Sequence, residues 1–326
     1  MWLGKLTLLA VSTAVALLGA ELATRIVAPL HLVERRSLDG APVPDWLTPG
    51  ARYRQVSSEF DAPTAITPDG YRAPAVAGNP DLVFLGDSHT FGWGHADDAT
   101  FAARYCASTA RACANLGAPG TGTIQQVARL EEFLTRLAWR PREVWIFVFA
   151  MTTSFSRGND LADDWWWAQW QRANAAHQAA PAASSPREAV ERALQHQDVL
   201  LEHSNLARLV KLSWAPWLRS LLQPRLAAQR RDEALALTRG ALARLDALGR
   251  ARGFSYRIYL LHPIQDLMWG TWRETTAALA SIAPAPIDDL GALLADDPQR
   301  FYYPLDGHLN DAGVEVITRH LLEGPP

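Results

Sequence analysis

Short unbroken apolar runs mark this chain, each bounded by a polar or glycine-rich break. Leu82 to Leu85, residues 143–149 and residues 255–261 are runs of this kind. Their lengths suit strands buried on both faces rather than helices. Arg111 to Asn115 predicts a further short strand, and residues 282–289 hold a short last one. Between the runs the apolar period lengthens. Thr100 is placed to cap a helix from Phe101 to about Ser108. Thr123 is placed to cap another, with Val127, Leu130, Leu134 and Leu137 on one face and Pro141 ending the segment. Strand and helix alternate, which predicts a three-layer α/β fold: a parallel sheet with helices on both faces. Right-handed crossovers then bring the carboxyl ends of the strands to one edge.

Three stretches lie outside this alternation. Residues 1–30 begin with an apolar run interrupted only by Lys5, about the length a bilayer crossing needs. They predict a membrane anchor, or a cleaved signal peptide, though Leu18 suits the latter poorly. Residues 31–80 are rich in Pro, Arg and Asp and show little periodicity, and they read as a linker and surface wrap. The remainder, residues 81–326, is one domain. It carries a helical insertion at about 160–253, expected to sit as a cap over the edge where the strands' carboxyl ends meet. Within the insertion, Ala173 to Pro186 reads as a flexible connection. Arg187 to Leu201, Leu206 to Leu222 and Asp232 to Arg252 read as helices. The tryptophan cluster from Trp165 to Trp170 reads chiefly as glue between insertion and core.

Composition narrows the function. A net charge of −3 over 326 residues, without a basic run, gives no reason to expect nucleic acid. No zinc-spaced Cys/His set or redox CxxC is present, so neither metal nor cofactor is expected. Cys106 and Cys113 are close enough for a local disulfide in an oxidising compartment, or can pack as two free thiols.

The chemistry-bearing residues gather at the predicted strand ends. Leu82 to Leu85 runs into Gly86-Asp87-Ser88-His89 and a glycine-rich turn, which puts a serine where open α/β sheets bind ligands. A helix starting there would offer free N–H groups to a developing oxyanion. A serine hydroxyl needs a base, and the base needs a carboxylate to hold its tautomer. Asp306-Gly307-His308 provides both on one loop before the terminal helix. His262, at the end of a strand, is a second histidine near the same edge and reads as structural.

These segments resemble the motif blocks of the SGNH (GDSL-type) hydrolases, whose fold is a flavodoxin-like three-layer sandwich. Gly86-Asp87-Ser88 matches the first block, Asn115-Leu-Gly117-Ala-Pro-Gly120 the second and Asp306-Gly-His308-Leu-Asn the fifth. The resemblance implies a catalytic set of Ser88, His308 and Asp306, with oxyanion donors from the N–H groups of Ser88 and Gly117. Asp87 and His89 are candidates for contacting substrate. The third block lacks its usual asparagine: Thr152 or Thr153 falls near the place, Thr153 being the candidate donor, and Asn159 comes a few residues late, where it reads as a surface turn. The one-residue gap between Asp306 and His308 resembles the version in cell-envelope polysaccharide acetyltransferases. The function this resemblance implies is that of a membrane-anchored, periplasmic serine esterase or O-acyltransferase acting on small acyl esters of carbohydrate. A non-catalytic glycan-binding relative, or a lipase or thioesterase for longer chains, are the alternatives.

Overall fold

A computed structural model describes residues 2–27, 33–38, 40, 45–150, 159–179, 204–208 and 224–324. Two compact units divide the chain, residues 1–31 with 171–224 and residues 32–170 with 225–326. The smaller holds helix α1 (Trp2–Val27), on which Glu21 pairs with Arg25 and accepts the Leu206 N–H at 3.1 Å. Among the described residues no helix is long and apolar enough to cross a membrane.

The larger unit contains two sheets. The first is antiparallel: β1 (Glu34–Ser37), β2 (Arg52–Val56) and β3 (Asp61–Ala65), in that order. Its inward positions alternate, Tyr53 and Gln55 on β2 against Ala62 and Thr64 on β3, as a half-buried sheet requires. The expected surface wrap is therefore a built sheet. Its signal is weak in the sequence because Gln55 and Thr64, polar by type, are buried and bond to one another at 2.9 Å.

The second sheet is parallel, with strands β4 (Leu82–Gly86), β5 (Cys113–Asn115), β6 (Glu143–Phe149), β7 (Ser255–Leu261) and β8 (Ile287–Asp289) in the order β5-β4-β6-β7-β8. The apolar runs follow from burial on both faces. Val83, Leu85, Val144, Ile146, Ile258 and Leu260 face one apolar layer. Leu82, Phe84, Trp145, Phe147, Tyr259 and Leu261 face the other. The first layer is closed by α4 (Thr123–Arg136) through Val127, Leu130, Phe133 and Leu134, and by Leu242, Leu245 and Leu248 of the helix Pro224–Arg252. The second is closed by α3 (Phe101–Thr109) and the terminal helix Asp311–Glu323, through Val314, Ile317 and Leu321. The predicted three-layer arrangement is what forms.

Several local expectations need correction. The helix at 224–252 lies against the sheet, in the layer that a β6-to-β7 crossover supplies, so its carboxyl half is a core element rather than part of a cap. Helix α5 (Asp160–Ala179) continues through the first residues of the expected flexible connection. Residues 187–201 and most of 206–222 lie outside the described residues. The N-cap of α4 is Gly122, with Thr123 already helical. Its open amides are met instead from elsewhere: Asp164 of α5 accepts the Ile124 N–H at 2.7 Å. Cys106 and Cys113 are joined in a disulfide, closing the turn between α3 and β5.

Candidate active site

In the strand order, β4 is where the chain reverses direction across the sheet: β5 lies on one side of it and β6 on the other. The crevice beyond such a strand's carboxyl end is where doubly wound sheets take their ligands. Ser88 stands there, as the first residue of the short helix α2 (Ser88–Phe91). Asp87 caps that helix, its carboxylate accepting the His89 N–H at 2.9 Å. The Ser88 N–H, at the open end of the helix, finds no protein acceptor among the described residues, as an oxyanion donor requires.

His308 arrives from the opposite end of the chain. Its Nε2 lies 2.7 Å from Ser88 Oγ, and its Nδ1 is hydrogen-bonded to Asp306 Oδ1. With the carboxylate holding the proton on Nδ1, Nε2 presents its lone pair to the serine hydroxyl. The loop that makes this pairing is a tight one. Tyr303 N–H donates to His308 O at 2.8 Å, and Gly307 N–H donates to Tyr303 O at 2.9 Å. Gly307 lies between Asp306 and His308 at φ +82°, a conformation that favours glycine. Asn310 then caps the terminal helix through the Ala312 and Gly313 N–H groups.

Four residues that sequence reading did not single out hold this loop. Glu59, in the turn between β2 and β3, accepts the N–H groups of Leu305 at 2.9 Å and Asp306 at 2.8 Å. Trp93 Nε1–H donates to Asp306 Oδ2 at 3.2 Å. His95 bonds to the carbonyl of Leu309 at 2.8 Å. Arg72, fully buried, donates to His95 O at 2.6 Å and pairs with Asp97 at 2.9 Å, its guanidinium lying over Phe91. The small antiparallel sheet is thereby tied to the segments that carry Ser88 and His308. Trp93 left a trace in the sequence, as the centre of a Gly-Trp-Gly turn.

Other expected residues take different parts. The Gly117 N–H donates to Asn115 Oδ1 at 2.9 Å, so it is engaged within its own loop and not held ready for an oxyanion. A glycine is needed there for packing: a Cβ would come within 2.3 Å of Phe91 N, inside α2. Gly120, three residues on, is exposed, and its N–H has no protein acceptor among the described residues. Asp87 and His89 are both buried, so their surroundings are protein groups rather than open solvent. His89 packs between Phe149 at 4.2 Å and His308 at 4.6 Å. Burial first, then the neighbouring His308, pushes its pKa well below the usual imidazole range, so His89 is neutral. Burial likewise raises Asp87 to about 6, against the pull of His308. Thr152 and Thr153 lie outside the described residues. Asn159 is not a surface turn: it is 3% exposed, and its side chain accepts the Ala162 N–H in the first turn of α5. His262 bonds to Asp289 at 2.8 Å and is structural, as expected.

Fold and site together define a three-layer α/β protein with a serine–histidine–aspartate triad at the switch point of its sheet. No family model and no curated protein matches the sequence. Among solved structures, the chain is similar to a lipolytic G-D-S-L family member from Veillonella parvula DSM 2008, at 13% identity and a TM-score of 0.36, covering 74% of this chain and 96% of that one. It is similar to LAE5, an α/β hydrolase from the metagenome of Lake Arreo, at 14% identity and a TM-score of 0.36, covering 76% and 95%. A carbohydrate esterase is similar at 10% identity and a TM-score of 0.38, covering 78% and 67%. Their scores are low, and the functional assignment rests on the triad.

Proposed function

We propose that this protein is an SGNH-type serine ester hydrolase. The observation that carries the reading is the hydrogen-bonded row from Ser88 Oγ through the His308 ring to Asp306. Ser88 Oγ attacks the ester carbonyl while His308 Nε2 takes its proton, and the new imidazolium is held by the Asp306 carboxylate. The tetrahedral oxyanion is met by the Ser88 N–H at the start of α2. His308 then returns the proton to the departing alkoxide, leaving an acyl-serine. Water, or a sugar hydroxyl, attacks that acyl group with His308 again as base, and Ser88 is regenerated. No step needs a cofactor. An acyl acceptor other than water makes the same site an O-acyltransferase, and small acyl esters of carbohydrate are the substrate class we favour, from the motif spacing at Asp306 and His308.

The same proposal places the reaction in the cell envelope. The Cys106–Cys113 disulfide supports an oxidising compartment. Attachment to a membrane through residues 1–30 is supported by the exposed Leu18, Leu22 and Ile26 of α1. Deleting those residues should release the protein from the membrane fraction. The test of the chemistry is direct: a fluorophosphonate probe should label Ser88, and purified Ser88→Ala should lose both labelling and aryl acetate turnover. Parental turnover by Ser88→Ala would overturn the assignment.

A further inference from the structure

The triad accounts for one oxygen of Asp306 and for the edge of the His308 ring, but leaves the other oxygen and the ring faces unexplained. Asp306 Oδ1 takes the imidazole Nδ1, and the Asp306 side chain is only 7% exposed. A carboxylate so buried needs a donor on its second oxygen. Trp93 supplies it through Nε1–H, at 3.2 Å. The same indole lies nearly parallel to the His308 imidazole, 21° between planes and 5.2 Å between centroids. Trp93 is itself tied to the nucleophile, its backbone N–H donating to Ser88 O at 3.0 Å. Behind it stands Trp46, 4.4 Å away, with the Arg35 guanidinium over the far ring. On the other side of His308 lie His89 and then Phe149. The catalytic imidazole is thus the middle member of a five-ring column.

We propose that Trp93 is a positioning residue for catalysis, fixing the plane of the Asp306 carboxylate and the tilt of the His308 ring relative to Ser88. The inference rests on the reading of Ser88, His308 and Asp306 as a working triad. The need for such a residue follows from the loop. Asp306 and His308 are two apart, on a segment whose outer residues Pro304 and Leu305 are exposed, and the carboxylate plane rotates about a soft, broad torsion. One bond to His308 sets a distance but not a plane; a second bond, to the other oxygen, sets both. The indole face adds a surface on which the ring lies flat and which favours the imidazolium once it forms. Because Trp93 hangs from the same turn as Ser88, it joins the nucleophile's position to that of its base. A small misplacement of reacting atoms is costly in rate, which is the scale of effect expected here.

Trp93→Phe keeps a ring and deletes the N–H. It should lower kcat for aryl acetate about tenfold and slow fluorophosphonate labelling of Ser88 in parallel, with KM within about twofold of the parent. In the Asp306→Asn background the same change should cost less than about twofold, since the group it orients is already gone. Should Trp93→Phe fold poorly in a thermal melt, replacing Trp93 by 3-benzothienylalanine keeps the bicyclic shape, removes only the donor and should give the same kinetics. An unchanged kcat, a loss confined to KM, or an equal loss with and without Asp306 would each overturn the inference while leaving the hydrolase reading intact. A parent protein that neither turns over the ester nor takes the probe at Ser88 would instead overturn both.

Discussion

Ser88 Oγ and His308 Nε2 are 220 positions apart in the chain and 2.7 Å apart in space. If they act as one unit, His308→Gln and Ser88→Ala should each lower kcat by at least about 10³-fold, and the double variant should be no worse than either single one. Steady-state turnover of an aryl acetate measures this. Losses that multiply would mean that the two side chains do not share a step.

Glu59 reaches the same loop from the antiparallel sheet, with one carboxylate oxygen on each of two successive amides. Glu59→Gln turns one acceptor into an N–H donor facing another N–H. We expect kcat to fall about three- to tenfold, from disorder at Asp306, with the melting temperature lowered by only a few degrees. An equal loss in the activity and the folded fraction would point to a purely structural bond.

Asp87 lies beside Ser88 and His308, and burial lifts its pKa to about 6. Above that pH it is an anion near His308, and so favours the imidazolium of the transition state; below it, it is neutral. Asp87→Asn can still cap α2 but carries no charge at any pH. The ratio of parental to variant kcat/KM should therefore be greatest near about pH 8 and fall towards one near about pH 5. A ratio independent of pH would show that the Asp87 charge does not act on the site.

Beneath the site, Asp160 and Asp164 are buried and close enough to influence one another. Desolvation raises Asp164 to about 7 and holds Asp160 well above the carboxylate range. The folded state thus binds these protons more tightly than the unfolded chain does. For Asp164 that stabilising contribution is complete below about pH 4 and is lost as pH rises through about 7. Asp164→Asn keeps an oxygen for the Ile124 N–H and removes the titration. Thermal melts of the variant should fall less between about pH 5 and about pH 7.5 than those of the parent.

Gly117 is a packing residue rather than an oxyanion donor in this structure. Gly117→Ala retains the N–H but drives a methyl into the backbone of Thr90 and Phe91. A loss of several kcal/mol in stability, of the order seen for overpacked sites, should appear in denaturant unfolding. A variant as stable as the parent but inactive would restore the sequence-based role.

Much of this protein was legible as text. Leu82 to Leu85 and residues 143–149 read as two-sided strands, because a short unbroken apolar run needs cover on both faces. Two-sided strands alternating with amphipathic helices define the layers. Ser88, Asp306 and His308 were legible because their chemistry is local in spacing: a hydroxyl at a strand end, and an acid and a base sharing one short loop. What tertiary structure alone decided is what holds them. Glu59 and Trp93 carry no pattern that ties them to residue 306, since a hydrogen bond between distant segments leaves no periodicity in either. The β1–β3 sheet was obscured for the same reason, its inward Gln55 and Thr64 being satisfied only by one another and by partners brought in by folding. Gly117 shows the converse: the sequence marks where a side chain is forbidden, and only the neighbouring backbone of α2 shows what forbids it.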